Sequence, residues 1–218
     1  MAFDPRRVQA LLFDIDGTLS DTDDLWVAQF TPFFRGPRAK ERARWLVMGL
    51  ESPGNFIYAR LDRLDLDGPT SRLLNVFSHW HSRRKPKNYL AIPGVLPMIA
   101  RLAERYPLGV VSARGEKGSL AFLEKFDLRR YFQSVVTAET CRYTKPFPDP
   151  VLEAARQLRV PVANCVMVGD TTVDIHAGRL AGAQTIGVLC GFGREGELRK
   201  AGADLILETT EMVEESLD

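Results

Sequence analysis

The feature that most constrains this chain is an apolar run at residues 10–13 that ends in two carboxylates one residue apart. The run has the length of a buried strand, and Asp14 and Asp16 follow it directly. Gly17 lets the backbone leave the strand direction, and Thr18 supplies a hydroxyl. Two carboxylates about 5 Å apart repel by roughly 3 kcal/mol at an effective dielectric constant of about 20, and no lysine or arginine is adjacent in the sequence. The pattern therefore predicts that a cation or a proton relieves this repulsion.

Further apolar runs, separated by helix-like segments, recur in the second half of the chain. This alternation predicts an α/β fold, with a doubly wound, Rossmann-like parallel sheet and helices on both faces. The acidic residues 211–218 are expected to form a final helix. The strand-like runs are 10–13, 108–111, 134–136, 164–168 and 184–189, and the helix-like segments are 94–105, 116–126, 149–159 and 172–181.

Residues 21–88 interrupt this alternation. They are rich in tryptophan, phenylalanine and arginine, are punctuated by prolines, and contain no strand-like run. We expect them to form a small inserted α-helical cap domain, with residues 1–20 and 89–218 forming the Rossmann-like core domain. Such a cap is expected to close over the strand ends and exclude water. Its residues Arg44, Trp45 and Arg84 are candidates for substrate contact or for the core of the cap.

The composition argues against several classes of protein. The net charge of +1 gives no field suited to nucleic acid or to an anionic membrane, and no run approaches the length of a transmembrane helix. The three cysteines are scattered and do not form a disulfide framework. We therefore expect a cytoplasmic protein, a monomer or homodimer, that acts on a small molecule and has no nucleic-acid or membrane partner.

Polar side chains follow three of the predicted strands, and a lysine lies in a loop between two of them. Because the carboxyl ends of parallel strands share one edge, where ligands bind, we expect these side chains to converge. Together they suit Mg²⁺ and phosphoryl transfer, in which a carboxylate accepts a phosphoryl group while a lysine and a hydroxyl stabilise its oxygens. The residues are Asp14 and Asp16, Ser112, Lys145 before Pro146, and Asp170 with Asp174, the last two on one face of a helix.

These residues lie in four motifs whose order resembles that of the haloacid dehalogenase superfamily. The chain is similar to the phosphatase branch with a helical cap after the first strand, and residues 177–183 resemble the phosphoglycolate phosphatase-like subfamily. The motifs are Asp14-Ile15-Asp16-Gly17-Thr18, Val110-Val111-Ser112, Lys145-Pro146 and Gly169-Asp170-Thr171-Thr172-Val173-Asp174.

The resemblance implies a role for each of these residues. Asp14 would attack phosphorus and become an aspartyl-phosphate, while Asp16 would protonate the leaving group and then deprotonate the hydrolytic water. Ser112 and Lys145 would hold the phosphate. Mg²⁺ would be bound by Asp14, Asp170 and the backbone carbonyl of Asp16.

Thr18, Ala113 and Arg114 complete the predicted substrate-binding set. Arg114 stands where many relatives have a neutral amide, so it either contacts an acidic substrate or simply begins a helix. Asp174 is expected to orient Lys145 or a metal-bound water.

The leading functional hypothesis is a Mg²⁺-dependent phosphomonoester hydrolase that acts on a small phosphorylated metabolite, for example a phosphoglycolate-like one. A sugar phosphomutase would use the same core residues and is the first alternative. A non-catalytic protein that binds a phosphorylated ligand on the same fold is the second.

Overall fold

The computed structural model describes residues 3–21, Gly36 and 89–218. By its internal contacts the chain divides into two compact units, Met1–Thr22 with Tyr89–Asp218, and Asp23–Asn88. Apart from Asp21 and Gly36, the expected helical cap at 21–88 lies outside the described residues. Its helical character and its closure over the strand ends stay predictions.

Six strands of the described chain pair in parallel into one sheet. They are β1 (Ala10–Phe13), β2 (Leu108–Val111), β3 (Phe132–Val136), β4 (Cys165–Gly169), β5 (Gln184–Val188) and β6 (Leu205–Leu207). The spatial order is β3-β2-β1-β4-β5-β6, so the direction of strand addition reverses between β1 and β4. This is the doubly wound sheet that the sequence predicts, and such a reversal opens a crevice at the carboxyl ends of the strands.

Five α-helices accompany these strands in the described part of the chain. They are α1 (Val95–Arg105), α2 (Glu116–Lys125), α3 (Asp149–Leu158), α4 (Thr172–Ala181) and α5 (Glu195–Ala201). The first four match the predicted helices to within one residue at each end. None of the described helices is long and apolar enough to cross a bilayer.

The two faces of β1 pack into two different apolar clusters. Leu11 and Phe13 are buried with side chains of α1 and α2, whereas Ala10 and Leu12 are buried with side chains of α3 and α4. Burial of each large side chain contributes roughly 1.5–3 kcal/mol. Because β1 is covered on both faces, the residues that follow it leave the sheet from a rigid base.

The sequence predicts a final helix at residues 211–218, but the structure shows none there. It forms two short 3-10 turns, Thr210–Val213 and Glu215–Leu217. A regular helix would bring acidic side chains three and four residues apart onto one face, where like charges repel. The structure instead directs two of these carboxylates to arginines of α1, pairing Glu214 with Arg101 and Asp218 with Arg105.

Candidate active site

Asp14 and Asp170 follow the two strands that flank the reversal of strand order. The pairing of β1 with β4 ends at Phe13 and Val168, and the backbone N–H of Asp14 donates to the carbonyl of Val168 at 3.0 Å. The register therefore places both aspartates just beyond the paired strands. Asp14 is 6% exposed and Asp170 is completely buried.

Lys145 lies between two carboxylates. Its Nζ donates to Asp14 Oδ1 at 2.7 Å and to Asp174 Oδ1 at 2.6 Å, and only 2% of its side chain is exposed. Burial lowers the pKa of Lys145, but the two carboxylates outweigh it, so the pKa is raised above its ordinary value. The lysine therefore keeps its charge inside the site.

The pKa of Asp14 lies well above that of an ordinary carboxyl group. Burial is the largest cause, and the charges of Asp174 and Asp16 add to it, while Lys145 acts in the opposite direction. The result is a pKa of about 7. Around neutral pH this carboxylate is thus poised to accept a proton or a cation.

Asp14, Asp170 and Asp174 form a buried acidic cluster. Each contributes a carboxylate oxygen, and these oxygens lie within 4.8 Å of one another. When all three are ionised, three carboxylates face the one positive charge of Lys145. Oxygen ligands with an excess of negative charge are what a hard divalent cation such as Mg²⁺ requires, so the donor set fits that ion.

Asp170 is held by contacts from two separate loops. The hydroxyl of Thr18 donates to its Oδ1 at 3.2 Å, and the backbone N–H of Phe192 donates to its Oδ2 at 2.9 Å. Gly17, whose φ is +75°, and Gly191 flank this carboxylate so closely that a Cβ on either would lie 2.3 Å or 2.2 Å from Oδ2. The loop after β5 is therefore part of the site, although the sequence analysis missed it. The glycines around Phe192, directly after a strand-like run, were the available signal.

Asp174 uses its two oxygens for different purposes. Oδ1 accepts from Lys145, and Oδ2 accepts from the backbone N–H and the hydroxyl of Thr171, at 3.1 and 2.6 Å. Asp174 therefore caps the N-terminus of α4 and also holds the ammonium group of Lys145 in place. Because α4 begins at Thr172, Asp170 precedes the helix and does not share a helical face with Asp174, contrary to expectation.

Asp16 is paired with Arg114. Arg114 Nε donates to Asp16 Oδ2 at 3.0 Å, and Nη2 donates to Oδ1. No lysine or arginine is adjacent to the first two carboxylates in the sequence, but Arg114 and Lys145 reach them from distant parts of the chain. The side chain of Asp16 is 39% exposed, against 9% for Asp14, so the two have different surroundings.

Ser112, Ala113 and Thr18 are the remaining predicted site residues. Ser112 directly follows β2, is 5% exposed, and its Oγ accepts from the backbone N–H of Arg114 at 3.1 Å. Ala113 is exposed. Thr18 is completely buried with its hydroxyl on Asp170, and its contact with a substrate stays a prediction.

The chain is similar in sequence to known proteins. A family model described as haloacid dehalogenase-like hydrolase matches residues 11–188. The pyrophosphatase PpaX of Oceanobacillus iheyensis is 28% identical over 203 residues, which cover 92% of each chain. A protein of Dickeya dadantii named "Probable phosphatase IndB" is 30% identical over 206 residues, 91% of this chain and 89% of the relative.

The fold also occurs among solved structures. A haloacid dehalogenase-like family hydrolase of Streptococcus pneumoniae superposes with a TM-score of 0.71 at 17% identity. The match covers 98% of this chain and all of the other. At this level of identity the likeness is one of fold.

Proposed function

Because this chain belongs to the haloacid dehalogenase-like hydrolase family, we propose that it is a Mg²⁺-dependent phosphatase acting on a small phosphorylated metabolite through an aspartyl-phosphate. The observation that carries the proposal is the buried set of Asp14, Lys145, Asp170 and Asp174 at the strand reversal. The relatives named as a pyrophosphatase and as a phosphatase support the same class of reaction.

In the first step of the proposed reaction a carboxylate oxygen of Asp14 attacks phosphorus. The bond from phosphorus to the leaving oxygen breaks, and that oxygen takes a proton from Asp16. Lys145 stabilises charge on the transferring oxygens, and the hydroxyl of Ser112 donates to one of them. Mg²⁺, held by Asp14, Asp170 and the carbonyl of Asp16, would supply further positive charge beside the phosphoryl group.

In the second step Asp16 acts as the base. It takes a proton from water, the water oxygen attacks phosphorus, and the bond from phosphorus to Asp14 breaks to release phosphate. The two carboxylates therefore return to their starting protonation states. Asp174 touches Lys145 but no reacting atom in this scheme, so its role is to position the lysine.

Removal of the metal tests the proposal. Hydrolysis of p-nitrophenyl phosphate and of a panel of phosphorylated metabolites should stop in excess EDTA and return with Mg²⁺. It should return poorly with Ca²⁺, which prefers more ligands and longer bonds. A hexose 1-phosphate in the panel separates the alternative, because a phosphomutase would isomerise it and a phosphatase would release phosphate.

An Asp170→Asn variant makes the test specific to the cluster. It removes one negative ligand, and we expect the Mg²⁺ concentration for half-maximal activity to rise roughly 10-fold or more. Asp127→Asn is the matched control, because Asp127 is 73% exposed and pairs only with Arg130 among the described residues. Full turnover in excess EDTA would contradict the metal assignment.

A further inference from the structure

One nitrogen of the Arg114 guanidinium group has no hydrogen-bond partner among the described residues. Its Nε and Nη2 are occupied by Asp16, whereas its Nη1 is buried and has no hydrogen-bond acceptor in the described part of the chain. A buried donor without an acceptor is destabilising, and more so when the group is charged. Such groups are rare in native proteins and call for a specific explanation.

The guanidinium group is held in place from several sides. The backbone N–H of Arg114 donates to Ser112 Oγ, and its carbonyl accepts from the N–H of Ala138 at 3.2 Å. The guanidinium carbon lies 5.3 Å from the centre of the Tyr89 ring, and only 15% of the side chain is exposed. The direction of Nη1 is therefore fixed before any ligand binds, which lowers the entropic cost of binding.

The two basic residues of the site differ in how far their charge is already satisfied. Lys145 faces two carboxylates, Asp14 and Asp174, whereas the described contacts of Arg114 include one carboxylate, that of Asp16. Arg114 Nη1 is thus available to donate to an anionic oxygen of a ligand, in addition to the phosphoryl oxygens that Lys145 is proposed to stabilise.

We propose that Arg114 is a specificity-determining residue whose Nη1 binds a second anionic group, carried by the leaving group of the substrate. The inference rests on the proposed function, in which Asp16 protonates the leaving oxygen and Lys145 holds the transferred phosphoryl group. Because Arg114 pairs with Asp16, the proposed proton donor to the leaving oxygen, through its other two nitrogens, we expect an oxygen bound to Nη1 to belong to the leaving group. The substrates that fit carry a carboxylate or a second phosphate close to the scissile bond.

A matched pair of substrates tests this directly. 2-Phosphoglycolate carries a carboxylate on its leaving group, and 2-hydroxyethyl phosphate has a neutral hydroxyl in the same place. The wild-type protein should favour the anionic member by roughly 10- to 100-fold in kcat/KM, as expected for a hydrogen bond to a charged group. Inorganic pyrophosphate, compared with the same neutral substrate, provides the phosphate arm. A preference in the carboxylate arm supports the proposal. In the phosphate arm, where the leaving group is also more acidic, a preference supports it only if it is lost in Arg114→Gln.

The variant Arg114→Gln should abolish this preference, mainly through KM of the anionic substrate. Because loss of Arg114 also frees Asp16, activity on both substrates can fall, so the readout is the ratio between them. Arg130→Gln is the matched control: Arg130 also pairs with an aspartate, Asp127, and lies over a tyrosine ring, that of Tyr131, but it is 62% exposed. The control should keep the wild-type ratio.

The outcomes separate the two proposals. A wild-type ratio near one in both arms, or a ratio unchanged in Arg114→Gln, would overturn the role of Arg114. Mg²⁺-dependent hydrolysis of p-nitrophenyl phosphate would in that case still support the proposed function. If the wild-type protein hydrolyses no phosphate compound at all, both proposals fail. If the variant does not fold, the wild-type ratio of the carboxylate arm decides alone.

Discussion

The two aspartates of the first motif have the same side chain but very different surroundings. Asp14 is buried against Lys145, whereas Asp16 is 39% exposed and is held by Arg114. A nucleophile benefits from a fixed position, and a proton donor must reach a leaving oxygen and then a water. These environments agree with the proposed division of roles.

The raised pKa of Asp14 predicts how stability depends on pH in the metal-free protein. In the folded chain Asp14 keeps its proton up to a pH of about 7, whereas an ordinary aspartate loses it near 3.8. Between these values the folded state binds more protons than the unfolded state, so the free energy of unfolding falls as pH rises. The slope from this group is at most about 1.4 kcal/mol per pH unit. Its stabilising contribution is full below the lower value and is lost above about 7.

Urea unfolding in EDTA across this pH range measures the effect. Asp14→Asn cannot titrate, so it should lack the slope and should be more stable than the wild-type protein above pH 7. The exposed substitution Asp127→Asn should leave the slope unchanged. Equal slopes for the wild-type protein and Asp14→Asn would contradict the pKa shift.

Much of the site could be predicted at the level of residues because each member follows a strand-like run. That rule placed Asp14 and Asp170 correctly at one edge of the sheet, with Lys145 close to them. It could not predict the pairing of Arg114 with Asp16. That contact depends on the direction of two side chains from loops 98 residues apart, and no local pattern encodes it.

At the scale of elements, the loop after β5 supports the site through its backbone. A Cβ on residue 191 would lie 2.2 Å from Asp170 Oδ2 and 2.6 Å from the carbonyl oxygen of Gly17. Gly191→Ala should therefore displace Asp170, lower kcat/KM by roughly 10-fold or more, and raise the Mg²⁺ concentration that gives half-maximal activity.

Gly196→Ala is the matched control for this loop. A Cβ at position 196 would meet nothing within 4 Å, and the residue lies in α5, where alanine is the better helix former. The control should keep full activity and gain up to about 1 kcal/mol in the free energy of unfolding. Wild-type activity in Gly191→Ala would show that the loop does not fix Asp170.

Elements were predictable where their apolar pattern is long and missed where it is short. The first five strands and four helices each carry such a pattern. β6 has only three residues, all partly exposed, and α5 has seven, so neither gives a clear period. The acidic tail has helix-forming residues, but it forms two 3-10 turns whose carboxylates pair with arginines of α1, a tertiary contact that no local pattern encodes.

At the scale of the whole molecule, the strand order is what makes the site. Asp14 lies close to Asp170 and Asp174 because β1 and β4 are neighbours in the sheet, although the two strands are far apart in the sequence. The inserted segment 21–88 enters directly after the first motif, and its role as a cap stays a prediction. The core alone supplies the proposed nucleophile, proton donor, lysine and metal ligands.

The identity of the nucleophile is the central claim, and covalent labelling tests it most directly. Asp16→Asn should still be phosphorylated by radiolabelled p-nitrophenyl phosphate, whose leaving group hardly needs a proton, but should not release the phosphate because no base activates water. Rapid acid quench and peptide mapping should find the label on Asp14, and Asp14→Asn should bind none. Label on another residue, or no accumulation in Asp16→Asn while turnover continues, would contradict the account.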